Sequence, residues 1–107
     1  GLWAQPRLLE AGGGLRAPGE SLNLSCRGEG FNFADADILW YRQSPGGSLE
    51  WVSLILSALY SAEKSYGPAV EGRATVFRDD SRSEFSLSLR ALQPGDSARY
   101  FCAVRTE

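Results

Sequence analysis

The chain has 107 residues and a mass of 11.6 kDa, which is the size of a single domain. Its 11 Lys and Arg residues and 13 Asp and Glu residues are spread along the chain and give a net charge of −2. Neither nucleic acid nor a membrane surface is therefore expected as a direct partner. The absence of histidine excludes His-dependent nucleophile systems and most zinc sites. We expect no enzyme activity, no metal ion and no cofactor.

Short runs of alternating apolar and polar residues predict β-strands. Residues 21–26 place Leu22, Leu24 and Cys26 on one face. Residues 84–90 repeat the pattern, with serines on the opposite face. Twelve glycines and five prolines suit turns between many short strands, and no helical period persists for three turns. These features predict an all-β fold.

The segment from residue 38 to residue 52 carries large apolar side chains on both of its faces. Trp40 and Arg42 share one face of the first predicted strand, and Tyr41 lies on the other. Leu49 and Trp51 follow after a Pro-Gly-Gly turn. A strand pair that is apolar on both faces is usually buried on both. We expect one face to contact the core of the domain and the other to contact a second domain.

Two cysteines, Cys26 and Cys102, are separated by 76 positions. Both lie in strand-like alternation where two sheets can face each other, which favours a disulfide. Two buried free thiols in a cytosolic protein are the alternative. A disulfide implies an oxidising, extracellular setting, so we expect a secreted or cell-surface protein.

Several blocks of the sequence resemble the immunoglobulin variable-type domain. Cys26, Trp40 and the run Asp96-x-x-x-Tyr100-x-Cys102 carry this resemblance. Residues 10–26, 40–53 and 72–79 are similar to the frameworks of antibody heavy-chain variable regions, and the resemblance covers about residues 5–104. It implies a Greek-key β-sandwich of the V type, with Trp40 packed beside a Cys26–Cys102 disulfide. It also implies a tyrosine corner at Tyr100 and a charged pair between Arg73 and Asp96. Without the resemblance, the preferred interpretation of Arg73 and Asp96 is two separate side chains that are solvated at the surface.

The same resemblance assigns three segments as antigen-facing loops: residues 30–37, residues 56–64 and the residues that follow Cys102. Loops on a rigid scaffold tolerate variation and carry binding residues. Tyr60 is the favoured contact, because tyrosine offers a large amphipathic surface at low entropic cost. The full set of expected antigen-contacting residues is Asp35, Ala36, Asp37, Leu59, Tyr60, Lys64 and Arg105.

The resemblance also implies a face that pairs with a second variable domain, from a light chain or a T-cell receptor partner chain. The expected residues of this face are Tyr41, Gln43, Leu49, Trp51 and Phe101. Tyr41 departs from the usual aliphatic residue, and an aromatic there is similar to variable domains that work unpaired. Leu49 and Trp51 remain apolar, which favours pairing.

The two ends of the sequence bear on which part of a variable-domain gene the chain represents. Residues 1–4 are expected to be a leader remnant or an N-terminal extension, and residues 5–107 a V-type domain that is incomplete at its C-terminus. The last strand of a variable domain is expected to be missing. These features fit the translation of a germline V segment without a joining region.

The resemblance predicts an antigen-binding variable domain of an immunoglobulin heavy chain or of a heavy-chain-like T-cell receptor chain. The alternative is an invariant immunoglobulin-superfamily domain that acts in adhesion or receptor assembly.

The triplet Asn23-Leu24-Ser25 is an acceptor sequence for N-glycosylation. Such triplets inside paired strands are often unused, so its occupancy stays open at this point.

Overall fold

A computed structural model describes residues 7–12 and 17–106, and within them eight strands form two four-stranded antiparallel sheets. The strands are β1 (Arg7–Gly12), β2 (Leu22–Glu29), β3 (Asp37–Gln43), β4 (Leu49–Ile55), β5 (Lys64–Tyr66), β6 (Ala74–Asp79), β7 (Glu84–Leu89) and β8 (Arg99–Arg105). Sheet A has the order β1-β2-β7-β6, and sheet B has the order β5-β4-β3-β8. The described helical segments are short 3₁₀ turns, at Phe33–Asp35, Ala58–Tyr60, Asp80–Arg82 and Pro94–Asp96. The predicted all-β sandwich is confirmed.

The core lies between the two sheets because each strand turns alternate side chains inward. On β7, Phe85, Leu87 and Leu89 are at most 1% exposed. Trp40 on β3 is also 1% exposed and meets the ring of Phe85 edge to face, with the ring centroids 5.9 Å apart. Edge-to-face contact is a favoured geometry for aromatic pairs. The indole of Trp40 therefore fills the centre of the sandwich.

A disulfide between Cys26 on β2 and Cys102 on β8 links sheet A to sheet B. The Cα atoms of the two cysteines are 6.7 Å apart, and neither side chain is exposed by more than 8%. The predicted disulfide is confirmed, and the alternative of two free thiols is set aside.

Sheet B contains a β-bulge that changes which residues of β4 face outward. Trp40 pairs with Ser53, whereas the next residue, Tyr41, pairs with Trp51, so Val52 is the extra residue. A bulge inserts one residue into one strand and disrupts the alternation locally. Val52 and Ser53 are both buried, and Trp51 is turned to the outer face opposite Tyr41.

Some expectations about the extent of the domain lie beyond the described residues or stay untested. Residues 1–4 are outside the described part, so the expected leader remnant is not tested. Strand β8 pairs with β3 on one side, and no other strand of the described residues pairs with its second edge. A missing last strand stays a prediction. No helix within residues 7–12 and 17–106 has the length and apolar character needed to cross a membrane.

Candidate recognition loops and pairing face

The first two candidate loops lie at the same end of the sandwich. The first loop connects β2 to β3 and contains the 3₁₀ turn Phe33–Asp35, and the second connects β4 to β5 and contains the turn Ala58–Tyr60. The two turns contact each other. Phe33 is 4% exposed and stacks on Phe85 with the ring centroids 5.6 Å apart, which ties the first loop to the core.

Arg78, at the end of β6, holds the two loops together. Its guanidinium group donates hydrogen bonds of 2.8 Å to the backbone carbonyl oxygens of Phe33, Ala36 and Leu56. It also lies over the ring of Phe33, 5.0 Å from the centroid, and pairs with Asp80 at 2.7 Å. The side chain of Arg78 is only 5% exposed. A planar guanidinium group holds five N–H donors in a fixed geometry and can therefore satisfy several carbonyls at once.

Asp37 joins both loops to the end of β8. One carboxylate oxygen accepts the backbone N–H of Ser57 at 2.9 Å. The other carboxylate oxygen accepts a hydrogen bond of 3.0 Å from Nε of Arg105. It also forms an ion pair with Nη2 of Arg105 at 2.9 Å. Asp37 is 6% exposed, so these contacts replace its lost hydration. The base of the third candidate loop is thereby attached to the first two.

The structure exposes most of the residues that the resemblance marked as antigen contacts. Leu59 is 71% exposed and Tyr60 is 51% exposed. Asp35 and Lys64 are exposed as well, and Lys64 lies in strand β5 rather than in a loop. Arg105 is exposed over 57% of its side chain while it pairs with Asp37. Their role in antigen contact stays a prediction.

Two of the expected contact residues are buried instead, and the prediction is wrong for both. Ala36 is 0% exposed, because it follows the 3₁₀ turn where the chain enters the sandwich, and its carbonyl oxygen is bound by Arg78. Asp37 starts strand β3 and is committed to Ser57 and Arg105. Both residues contribute to the packing and hydrogen bonding at the base of the loops.

The predicted pairing face lies on the outer side of sheet B. Tyr41 and Phe101 stack with their ring centroids 6.1 Å apart and are partly exposed. Beside them, Trp51 is 36% exposed and Leu49 is 54% exposed. Gln43 is exposed and donates its side-chain N–H to the carbonyl oxygen of Gly47 at 3.1 Å. The structure thus brings all five residues of the predicted face together.

A buried charge network closes the opposite end of the sandwich. Arg73 forms two hydrogen bonds with the carboxylate of Asp96, at 2.7 and 3.0 Å, and Arg42 forms a third at 2.9 Å. Tyr100 donates its hydroxyl to the backbone carbonyl oxygen of Asp96 at 2.8 Å, and Arg42 contacts the same hydroxyl at 3.0 Å. Glu50 pairs with Arg42 from the solvent side. The Arg73–Asp96 pair and the tyrosine corner that the resemblance implied both occur in this network.

The network holds Asp96 ionised. Burial by itself raises the pKa of this carboxyl group, but the hydrogen bonds from Arg73, the backbone N–H of Gln93 and Arg42 outweigh burial and lower the pKa from 3.8 to about 2. Burial also raises the pKa of Tyr100, which keeps its hydroxyl protonated as a donor.

The sequence alone assigned no role to Arg42 or Arg78. For Arg42 a signal existed, because strand alternation placed it on the same face as Trp40, and a charged group on a core face needs buried partners. For Arg78 no local signal existed. Its partners are backbone carbonyls 22 to 45 positions away in the chain, so only the folded structure reveals them.

A model of the immunoglobulin V-set domain family matches residues 15–107. The match covers most of the chain and agrees with the two sheets, the disulfide and the buried tryptophan. The protein therefore belongs to the immunoglobulin V-set domain family. Domains of this family are typically binding modules rather than enzymes, and a disulfide-bonded V-set domain fits an extracellular setting. Within residues 7–12 and 17–106, no three Asp, Glu or Cys residues are grouped as metal ligands.

The acid dependence of stability tests the charge network. Because the folded-state pKa of Asp96 lies below the unfolded value of 3.8, its contribution is complete above about pH 5 and is lost as the pH falls through 3.8 towards about 2. The shift corresponds to about 2 kcal/mol of unfolding free energy. NMR titration of the Asp96 carboxyl ¹³C signal should give a midpoint near 2, and Arg73→Gln should raise that midpoint towards 3.8. A midpoint near 3.8 in the unsubstituted domain would contradict the assignment.

Replacing Arg78 tests how the loops are held. Arg78→Lys keeps the charge but loses most of the carbonyl contacts, each worth about 1 kcal/mol. Hydrogen exchange of the amides in residues 33–36 and 57–62 should become about tenfold faster or more, measured by mass spectrometry or NMR. Arg82→Lys is the matched control, since the Arg82 side chain is 70% exposed. Equal protection in both variants would show that Arg78 does not hold the loops.

Proposed function

We propose that the protein is the antigen-binding variable domain of an antigen receptor and pairs through sheet B with a second variable domain. The receptor is an immunoglobulin or a T-cell receptor that uses a heavy-chain-like V segment, in secreted or membrane-anchored form. The observation that carries the proposal is the apolar outer face of sheet B. This face is aromatic and uncharged at its centre and adjoins the loop end of the sandwich.

The register of sheet B defines this outer face. Tyr41 lies between Trp51 on β4 and Phe101 on β8, and Leu39 lies between Leu54 and Ala103. No outward position in these two rows carries a charge. On β8, the charged residues are Arg99 and Arg105, which lie at the two ends of the strand and therefore at the rim of this face. Depletion of charge at the centre, aromatic enrichment and a charged rim are typical of protein–protein interfaces.

Solvent exposure of this face is unfavourable for an isolated domain. Leu49 and Trp51 expose more than a third of their surface, next to the stacked Tyr41 and Phe101. Moving apolar surface out of water is favourable by about 25 cal/mol for each square ångström, before the entropic cost of association is subtracted. A partner with a similar apolar face would cover these residues, and we infer that the partner is a second variable domain.

The loops support the antigen-binding part of the proposal. Leu59 and Tyr60 project at the tip of the second loop, which is anchored below by Arg78 and by the Asp37–Ser57 hydrogen bond. A rigid base with an exposed aromatic tip limits the entropy lost on binding. Because the loop end adjoins the pairing face, a paired domain would add its own loops to the same surface.

Pairing is tested by placing a charge on the apolar face. Leu49→Arg should weaken association with a second variable domain by about tenfold or more, because a guanidinium group would be desolvated in the interface. Association is measured by analytical ultracentrifugation with variable domains of the light-chain and T-cell receptor types. Thermal unfolding should be nearly unchanged, since Leu49 is 54% exposed.

Phe77→Arg is the matched control, because Phe77 is also an exposed apolar residue, 60% exposed, but lies on sheet A. It should leave pairing unchanged. The proposal fails if Leu49→Arg pairs as well as the original domain, if Phe77→Arg weakens pairing instead, or if no variable domain of either type associates.

A further inference from the structure

The triplet Asn23-Leu24-Ser25 lies at the start of β2, on the outer face of sheet A. Sheet A faces away from the proposed pairing surface, and the proposed function makes no use of this triplet. We propose that Asn23 is a modification site and carries an N-linked glycan on the folded domain. This proposal is independent of pairing and antigen binding. It requires only that the domain passes through the secretory pathway, which fits its family and its disulfide.

The folded domain leaves the side chain of Asn23 accessible, so a glycan attached there can stay in solvent. Asn23 is exposed, and its carbonyl oxygen Oδ1 accepts a hydrogen bond of 2.8 Å from the hydroxyl of Ser88 on β7. This contact engages the oxygen of the amide and not its nitrogen. The nitrogen Nδ2, to which a sugar attaches, has no hydrogen-bond partner among the residues that the structure describes. Glycosylation therefore breaks no contact of that nitrogen within the described structure.

On the side of β7 and β6, the described surroundings of Asn23 leave space for a sugar. Asn23 is opposite Ser88, and Ser88 is opposite Thr75 on β6. The next outward row of the same strands contains Ser25 and Ser86, and it ends at Phe77 on β6, two strands away from Ser25. Small hydroxyl side chains neither block a sugar ring sterically nor present it with a buried apolar surface. Because oligosaccharide is added while the chain is still unfolded, the exposed position of Asn23 lets the glycosylated chain fold without burying the sugar.

The chemistry is a group transfer in which Asn23 is the acceptor. Nδ2 forms a bond to C1 of the N-acetylglucosamine at the reducing end of an oligosaccharide carried on a lipid diphosphate. The bond between C1 and the diphosphate oxygen breaks, the lipid diphosphate leaves with that electron pair, and Nδ2 loses one proton. Ser25 supplies the hydroxyl that acceptor recognition requires two residues after the asparagine.

The position of Asn23 keeps a glycan away from both proposed binding surfaces. Residues 23 and 29 lie near the two ends of β2, and six residues of strand span about 20 Å. The first loop begins only after the far end of β2. The pairing face belongs to the other sheet. A glycan at Asn23 would therefore hydrate sheet A and leave the loops and the face of sheet B accessible.

Expression behind a secretory leader in mammalian cells tests the proposal. The total pool, secreted and cell-associated, is treated with peptide N-glycosidase F and compared by mass with untreated protein, so the result does not depend on efficient folding or secretion. Most molecules should carry an enzyme-sensitive glycan mass. The chain contains no other Asn-x-Ser/Thr triplet, so the mass reports on Asn23 alone.

Three variants sharpen the result. Ser25→Ala should abolish the glycan while it keeps Asn23. Ser25→Thr keeps an acceptor triplet, so its glycan occupancy should equal or exceed that of the original chain. Ser88→Ala removes the hydrogen bond to Oδ1 but not the triplet, and it should leave the glycan in place. An unmodified mass for most molecules of the original chain, or an enzyme-sensitive mass that persists in Ser25→Ala, would overturn the proposal.

Discussion

The structure depends on one constraint, which is that sheets A and B share a core built around Trp40 and the Cys26–Cys102 disulfide. Side chains alternate along a strand, so the inward position of one residue determines the side on which its neighbours lie. With Cys102 inside, Phe101 faces outward, and with Trp40 inside, Tyr41 does the same. With Cys26 inside, Asn23 lies on the outer face of sheet A. The proposed pairing face and the proposed glycan site thus follow from the same inter-sheet contact.

Arginine side chains close both ends of this sandwich, in different ways. At the loop end, Arg78 binds backbone carbonyls and so fixes the shape of two loops without using their variable side chains. At the other end, Arg42 lies inside because it shares a strand face with Trp40, and its charge is balanced by Asp96. A buried ion pair adds little net stability compared with apolar packing, but removing one partner costs about 3–5 kcal/mol. These groups therefore specify geometry more than they add stability.

Much of this arrangement can be predicted from the sequence. Alternation in residues 21–26 and 84–90 predicted two strands correctly, and the Cys26, Trp40 and Tyr100 spacing indicated the sandwich. The bulge at Val52 could not be predicted, because strict alternation puts Trp51, Ser53 and Ile55 on one face, whereas the structure turns only Trp51 outward. The burial of Ala36 and Asp37 was missed for a related reason. Loop boundaries inferred by resemblance do not show where the chain enters the core.

We propose that this V-set domain serves a clonally varied antigen receptor rather than an invariant surface protein. Sequencing of transcripts from single lymphocytes tests this claim most directly. If the proposed function is right, the coding sequence for residues 17–102 is followed, after the codon for Cys102, by segments that differ from cell to cell. One identical continuation in every expressing cell would contradict the claim and identify an invariant immunoglobulin-superfamily protein.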